Sequence, residues 1–266
     1  MAEHRFSEVG ERPGPAAQAV PAASIVVFRH GQAEGAPELL MLERGSAMRF
    51  AAGAAVFPGG RIDPADRELA ARLDPAAPDP DDAVARIAAV RETLEEAGLA
   101  VAVNRAVTHD EAAAARALLL EQGTLAAVLE THGWTLDLAA LVPFARWCPH
   151  FAGAFDTRFY LADLGTGAVD LAVDATENAR LFWTTAADAL AMARRGDIGI
   201  VFPTERNLER LAQFPDFAAA RAEAEATPQQ TITPYRELRD GAVHLAIPEG
   251  LGYPVTSQLF DTVRRT

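Results

Sequence analysis

The stretch running from Asp79 to Gly98 leaves this chain the least conformational freedom. Asp79 is a good N-cap, Pro80 suits the first helical position, and Asp81 and Asp82 sit where the positive end of a helix dipole favours acids. Val84, Ile87, Arg91 and Leu94 recur at three- and four-residue steps, and Gly98 is a natural terminator. The pattern predicts a helix over Pro80–Ala97. Within it, Glu92, Glu95 and Glu96 stand at i, i+3 and i+4, which puts all three carboxylates on one face within one turn. Val84, Ile87 and Leu94 anchor the opposite face, so the carboxylates are expected to be exposed. Charges this close repel, and the places where a helix would set a pairing Lys hold Leu99 and Ala100. A hard divalent cation, Mg²⁺ or Mn²⁺, would relieve the repulsion because it prefers carboxylate oxygens. A solvated acidic face is the plain alternative.

Elsewhere the chain alternates short apolar strands with helices. Residues 24–29 (SIVVFR) and 38–43 (ELLMLE) read as paired strands, and residues 54–57 as a third, stopped by Pro58, Gly59 and Gly60. Residues 63–80 are rich in Pro and Asp, with a helical turn around 67–73. A strand is expected over 99–103, and two Ala-rich helices over 110–120 and 125–131, joined at Gly123. Strands follow at 142–149, 157–162 and 181–184, then helices at Ala186–Arg195 and 204–214, with 218–226 as a continuation. Residues 231–255 read as irregular or β. Strands and helices interleave without a regular βαβ period, so the fold class is α+β or mixed α/β.

Composition narrows the function classes. The chain has 266 residues, half of them apolar, a formal charge of −13 and one cysteine. A single cysteine excludes an intramolecular disulfide framework and any Cys-rich zinc site, and Cys148 reads as a small buried apolar residue. The six histidines show no metal-ligand spacing. The acidic balance argues against a nucleic-acid partner and against an anionic membrane, and no apolar run is long enough to span a bilayer. Residues 1–22 read as a loose tail without a secretory apolar stretch, and the C-terminal residues hold no peroxisomal tripeptide, so the expected location is cytoplasmic.

Arg91-Glu92-Thr93-Leu94-Glu95-Glu96-Ala97-Gly98-Leu99, with Gly60 upstream, resembles the signature of the Nudix hydrolase superfamily: a glycine, a Glu six residues later, then Arg-Glu-apolar-x-Glu-Glu-x-Gly-apolar. Gly60 and Arg91 stand 31 positions apart, 17 more than the family's usual spacing. The early Glu is replaced by Asp66, Asp81 or Asp82, and in the family that residue pairs with the signature Arg. The flanks (Val56 to Gly60 as VFPGG, Trp147-Cys148-Pro149, Phe155-Asp156-Thr157-Arg158-Phe159, Pro203-Thr204) are similar to a subgroup with a long insertion in the signature. That subgroup includes the mammalian acyl-coenzyme A diphosphatase.

The resemblance implies an α/β/α sandwich with a mixed sheet. Its expected parts are a tail (1–22), a Nudix domain (23–202) with insertions at about 64–80 and 108–132, and a C-terminal extension (203–266) packed on the same domain. It implies a metal-dependent diphosphatase acting on a nucleoside diphosphate linked to another group. Glu92, Glu95, Glu96 and the Gly59 carbonyl would hold Mg²⁺ or Mn²⁺, with the three glutamates as the catalytic set. Gly60, Arg91 and Gly98 take structural places. Glu95 and Glu177 are the candidates for the base. Arg44, Arg61 and Arg158 are candidates for phosphate recognition, since a planar fork suits phosphate, and Asp156 is expected to cap or to pair with Arg158. Coenzyme A or an acyl-CoA is the favoured substrate class. ADP-ribose, NADH or a nucleotide sugar is the alternative, and a non-catalytic nucleotide-binding regulator the third reading. The resemblance allows a homodimer.

Overall fold

The computed structural model describes residues 8–30, 35–45, 53–164 and 178–263. A mixed sheet forms its middle layer. Strands β1 (Val20–Arg29) and β6 (Phe155–Asp163) run parallel at the centre, in register from Val20–Phe155 to Phe28–Asp163. Beyond β6 come β5 (Val142–Trp147), antiparallel, and β8 (Thr231–Ile232), parallel to β5. On the other side, β2 (Glu38–Arg44) joins β1 only at Phe28–Leu39 and Arg29–Glu38, and β7 (Asn178–Thr185) runs along the far edge of β2.

Where β1 and β2 part, the chain fills the gap with two short strands. β3 (Ala55–Val56) pairs with β2, and β4 (Gly59–Arg61) pairs with β1, through Ala22–Arg61, Ala23–Gly60 and Ser24–Gly59. The Gly59-Gly60 stop read from the sequence is therefore itself a strand. Likewise β1 begins at Val20, so the last three residues of the expected tail belong to the sheet.

β1 alternates Ile25 and Val27 with Val26 and Phe28, and all four are buried, as a strand covered on both faces requires. On the first face, Ile25, Val27 and Leu40 pack with α1 (Pro64–Leu73), α2 (Pro80–Ala97), α3 (His109–Gln122) and α4 (Leu125–His132). On the second, Val26, Phe28, Leu39 and Met41 meet α5 (Ala186–Arg195), α6 (Phe202–Leu211), α7 (Phe217–Ala226) and a small antiparallel sheet. Its strands are β9 (Tyr235–Arg239), β10 (Ala242–Ala246) and β11 (Ser257–Leu259). These are three layers, α/β/α.

α2 keeps the boundaries its sequence predicts. Asp79 accepts a hydrogen bond from the Asp82 N–H, and Gly98 closes the helix at φ 70°. The insertion in the signature is a full helix, α1, rather than a single turn, started by a capping box between Asp63 and Asp66. No strand forms over 99–103. Only Val103 makes a bridge, to Leu136, and Ala102 beside it holds φ 52°, a left-handed backbone that a strand excludes.

Candidate active site

The chain that crosses from β3 to β4 brings Gly59 and Gly60 onto the C-terminal half of α2. Gly59 holds φ 155°, and a Cβ there would collide with the Ala23 carbonyl and the backbone of Ser24. At Gly60 a Cβ would fall onto the carboxylate of Glu92. Two glycines are needed for different reasons: the first for backbone pairing, the second so that a carboxylate can lie against the main chain. The Gly59 N–H donates to Glu96 Oε2 at 2.8 Å, and Ser24 Oγ holds the Pro58 carbonyl at 2.7 Å.

Arg91 organises the cluster from within. Its Nε and Nη2 grip Asp66 Oδ1 and Oδ2 at 2.9 and 3.1 Å, and Nη2 also donates to the Arg61 carbonyl at 2.8 Å. Asp66, 1% exposed, is therefore the partner left open by the sequence. Asp81 reaches Arg67, and Asp82 reaches Arg86 and Arg158. From Nη1, Arg91 also meets Glu92 at 3.0 Å and Glu95 at 3.4 Å. Burial alone would lower the Arg91 guanidinium, but the bond to Asp66 and the charge of Glu92 hold it above its ordinary value. Burial pushes the Glu92 carboxyl up to about 7, against the pull of Arg91 and with Glu95 adding to the rise.

The three glutamates share one turn, yet they are not equally exposed. Glu96 is 4% exposed, which corrects the expectation of a wholly exposed face. The physical reason is that α2 is covered by the sheet, by α1 and by α3, so even its polar side has neighbours. Glu95 keeps 35% of its side chain in solvent. Behind them, Arg116 Nε of α3 donates to the Glu95 carbonyl at 2.7 Å. Nothing in sequence spacing signals that contact across 21 positions.

Among the described residues, no three His, Cys, Asp or Glu side chains already converge as a metal site. Glu96 is turned onto the Gly59 N–H and Glu92 onto Arg91. The donor set nevertheless suits a hard cation: it is all oxygen, three carboxylates lie within one turn, and the last turn of α2 holds no basic residue of its own.

Of the expected phosphate-binding arginines, Arg158 lies away from the glutamates. Arg158 pairs with Asp79 and Asp82, both at 3.2 Å, at the far end of α2. That is about 15 Å from Glu92 at 1.5 Å per residue. Asp156 pairs with Arg146, not with Arg158, because Arg146 and Arg158 face each other across β5 and β6 and each takes its own carboxylate. Arg61 contributes its carbonyl to Arg91, while its side chain lies over the Phe155 ring at 5.6 Å. Arg44 is half-buried at the end of β2, and its Nε has no hydrogen-bond partner among the described residues. Trp147, Phe159 and Tyr160 are core residues, and so is Cys148. Glu177 lies outside the described residues.

The fold has a counterpart among solved structures. The crystal structure of a Nudix hydrolase from Alicyclobacillus acidocaldarius is 32% identical, with TM-score 0.66 over 77% of this chain and 96% of that one. The chain belongs to the Nudix hydrolases. Among curated proteins, the acyl-coenzyme A diphosphatase NUDT19 of Gallus gallus is 27% identical over 232 residues, covering 66% of this chain. The match spans 61% of that relative's length. No protein-family profile matches the chain. No helix among the described residues is long and apolar enough to cross a membrane.

Proposed function

We propose that this Nudix chain is a divalent-metal-dependent diphosphatase that cleaves a nucleoside diphosphate derivative, with coenzyme A or an acyl-CoA as substrate. The carrying observation is the turn of α2 that bears Glu92, Glu95 and Glu96, with Glu92 and Glu96 against the Gly59-Gly60 strand. The 27% identity to a chicken acyl-coenzyme A diphosphatase supports the substrate class.

Glu92, Glu95, Glu96 and the Gly59 carbonyl are the oxygen donors that would hold Mg²⁺ or Mn²⁺. When bound, the metal would neutralise the diphosphate and lower the pKa of attacking water. Glu95, the most exposed of the three glutamates, would accept a proton from that water. Arg91 and Asp66 fix the helix against the loop, so the donors keep their spacing without moving at each turnover. Cleavage of CoA would yield 3′,5′-ADP and phosphopantetheine.

The test is purified protein with Mg²⁺ or Mn²⁺ and a panel of CoA, acyl-CoA, NADH, ADP-ribose and dinucleoside polyphosphates, with products identified by mass. Turnover of ADP-ribose or NADH alone would sink the CoA assignment. Glu96→Gln should cut turnover by about 10²-fold or more. Its amide oxygen can still accept the Gly59 N–H, so the fold should persist. Unchanged activity would remove Glu96 from the metal set.

A further inference from the structure

Gly98 caps α2 well, but the charge of its last turn is the one a helix end disfavours. Its last turn carries Glu95 and Glu96 at the negative end of the helix dipole and contains no basic residue. The Glu95 carbonyl belongs to the last four of the helix, which have no partner within it. The compensation comes from another element. Arg116 of α3 donates from Nε to that carbonyl at 2.7 Å. α3 is seated for the purpose. Ala112, Ala115 and Leu119 form its buried stripe, and Ala115 and Leu119 share a core with Leu94, Ala97 and Leu99 at the end of α2. The capping box of Thr108 and Glu111 fixes where α3 begins.

We propose that Arg116 is a positioning residue for the metal-binding turn: the helical insert holds the Glu95–Glu96 backbone in place and supplies the cation that α2 lacks at its end. The inference rests on the diphosphatase reading, because it concerns what the insert does for that site. Loss of the guanidinium frees the Glu95 carbonyl and leaves the last turn of α2 to fray, so the two carboxylates sample more positions. Their affinity for a cation then falls although neither is altered.

Two readouts decide it, both on the whole chain with Arg116→Met and Arg116→Lys. Hydrogen exchange on metal-free protein should speed up in peptides covering residues 94–100 of Arg116→Met and stay unchanged in β1 and β6. Titration with Mn²⁺ alone should show an affinity lowered by about 10-fold. Arg116→Lys, which keeps a donor and the charge, should recover part of both. Faster exchange throughout the chain, without rescue by lysine, would overturn the proposal in favour of a general packing role. So would an Arg116→Met variant that matches wild type in both measurements. A wild-type chain that neither binds Mn²⁺ nor hydrolyses the panel would instead overturn the diphosphatase reading itself, which separates the two failures.

Discussion

Every one of the 24 basic residues in this chain is an arginine. The structure uses the planar fork that lysine lacks. Arg91 holds Asp66 by two bonds, Arg146 holds Asp156 by two, and Arg210 reaches both Glu223 and the Phe144 carbonyl. The Asp66 pair is the most buried at the site, with side chains 5% and 1% exposed. Asp66→Ala leaves Arg91 Nε without its partner, while Glu92 and Glu95 still offset the charge. It should cost about 1–3 kcal/mol, read from urea denaturation, and no measurable loss would show that the pair does not hold the loop to the helix. Which of Asp66, Asp81 and Asp82 answers Arg91 was open in the sequence. All three are acids near a helix start, and only the path of α1 brings one of them onto Arg91.

At the scale of elements, α6 is the one whose sequence and surroundings conflict. Ten residues long, it buries Thr204, Arg206, Asn207 and Arg210. Arg206 is 2% exposed, bonds Glu209 at 2.9 Å, and leaves Nε and Nη1 without partners among the described residues. Burial pushes the Glu209 carboxyl up to about 7, with Arg206 opposing the rise and Glu205 adding to it. A carboxyl raised in the folded state binds protons more tightly there than in the unfolded chain. Its contribution to stability is therefore complete below the ordinary glutamate value of 4.5 and disappears as pH rises through about 7. Thermal unfolding from pH 4 to 8 should show a falling component across that window, and Glu209→Gln should shrink it, leaving the part that Glu92, also raised to about 7, contributes. An identical pH profile in the variant would refute the assignment. A helix was expected over 204–214, and the structure starts it two residues earlier, with Pro203 in its first turn. Its buried polar face was not legible in sequence, because burial there is imposed by α5 and the sheet.

Across the whole molecule, the two faces of the sheet carry separate cores with separate tasks. The first face holds α2 and the glutamates. The second ties the C-terminal segment to the sheet through Asn207, whose Oδ1 accepts from the Tyr253 hydroxyl at 2.8 Å and from Trp147 Nε1 at 3.2 Å. Tyr253→Phe should thus cost about 1 kcal/mol of stability, measured by denaturation, while Mn²⁺ affinity stays at the wild-type value. A fall in that affinity would mean the faces are coupled through the sheet. Of the acids behind the charge of −13, three stand within five positions near the end of α2, where a bound cation would invert the local field. A net acidic chain can accordingly act on a small diphosphate.

The sequence alone determined α2, from N-cap to terminating glycine, and the placing of three carboxylates on one of its turns, because helix periodicity and caps act within a few residues. It also determined the family, since the signature's second half is continuous along the chain. Tertiary structure decided everything that depends on residues far apart. It chose Asp66 for Arg91, buried Glu96 under the Gly59 N–H, sent Arg158 to the opposite end of the helix and brought Arg116 to the Glu95 carbonyl. Those choices follow from how β3 and β4 bridge the parted strands and how α1 and α3 pack on α2, and no local rule encodes the distance between them.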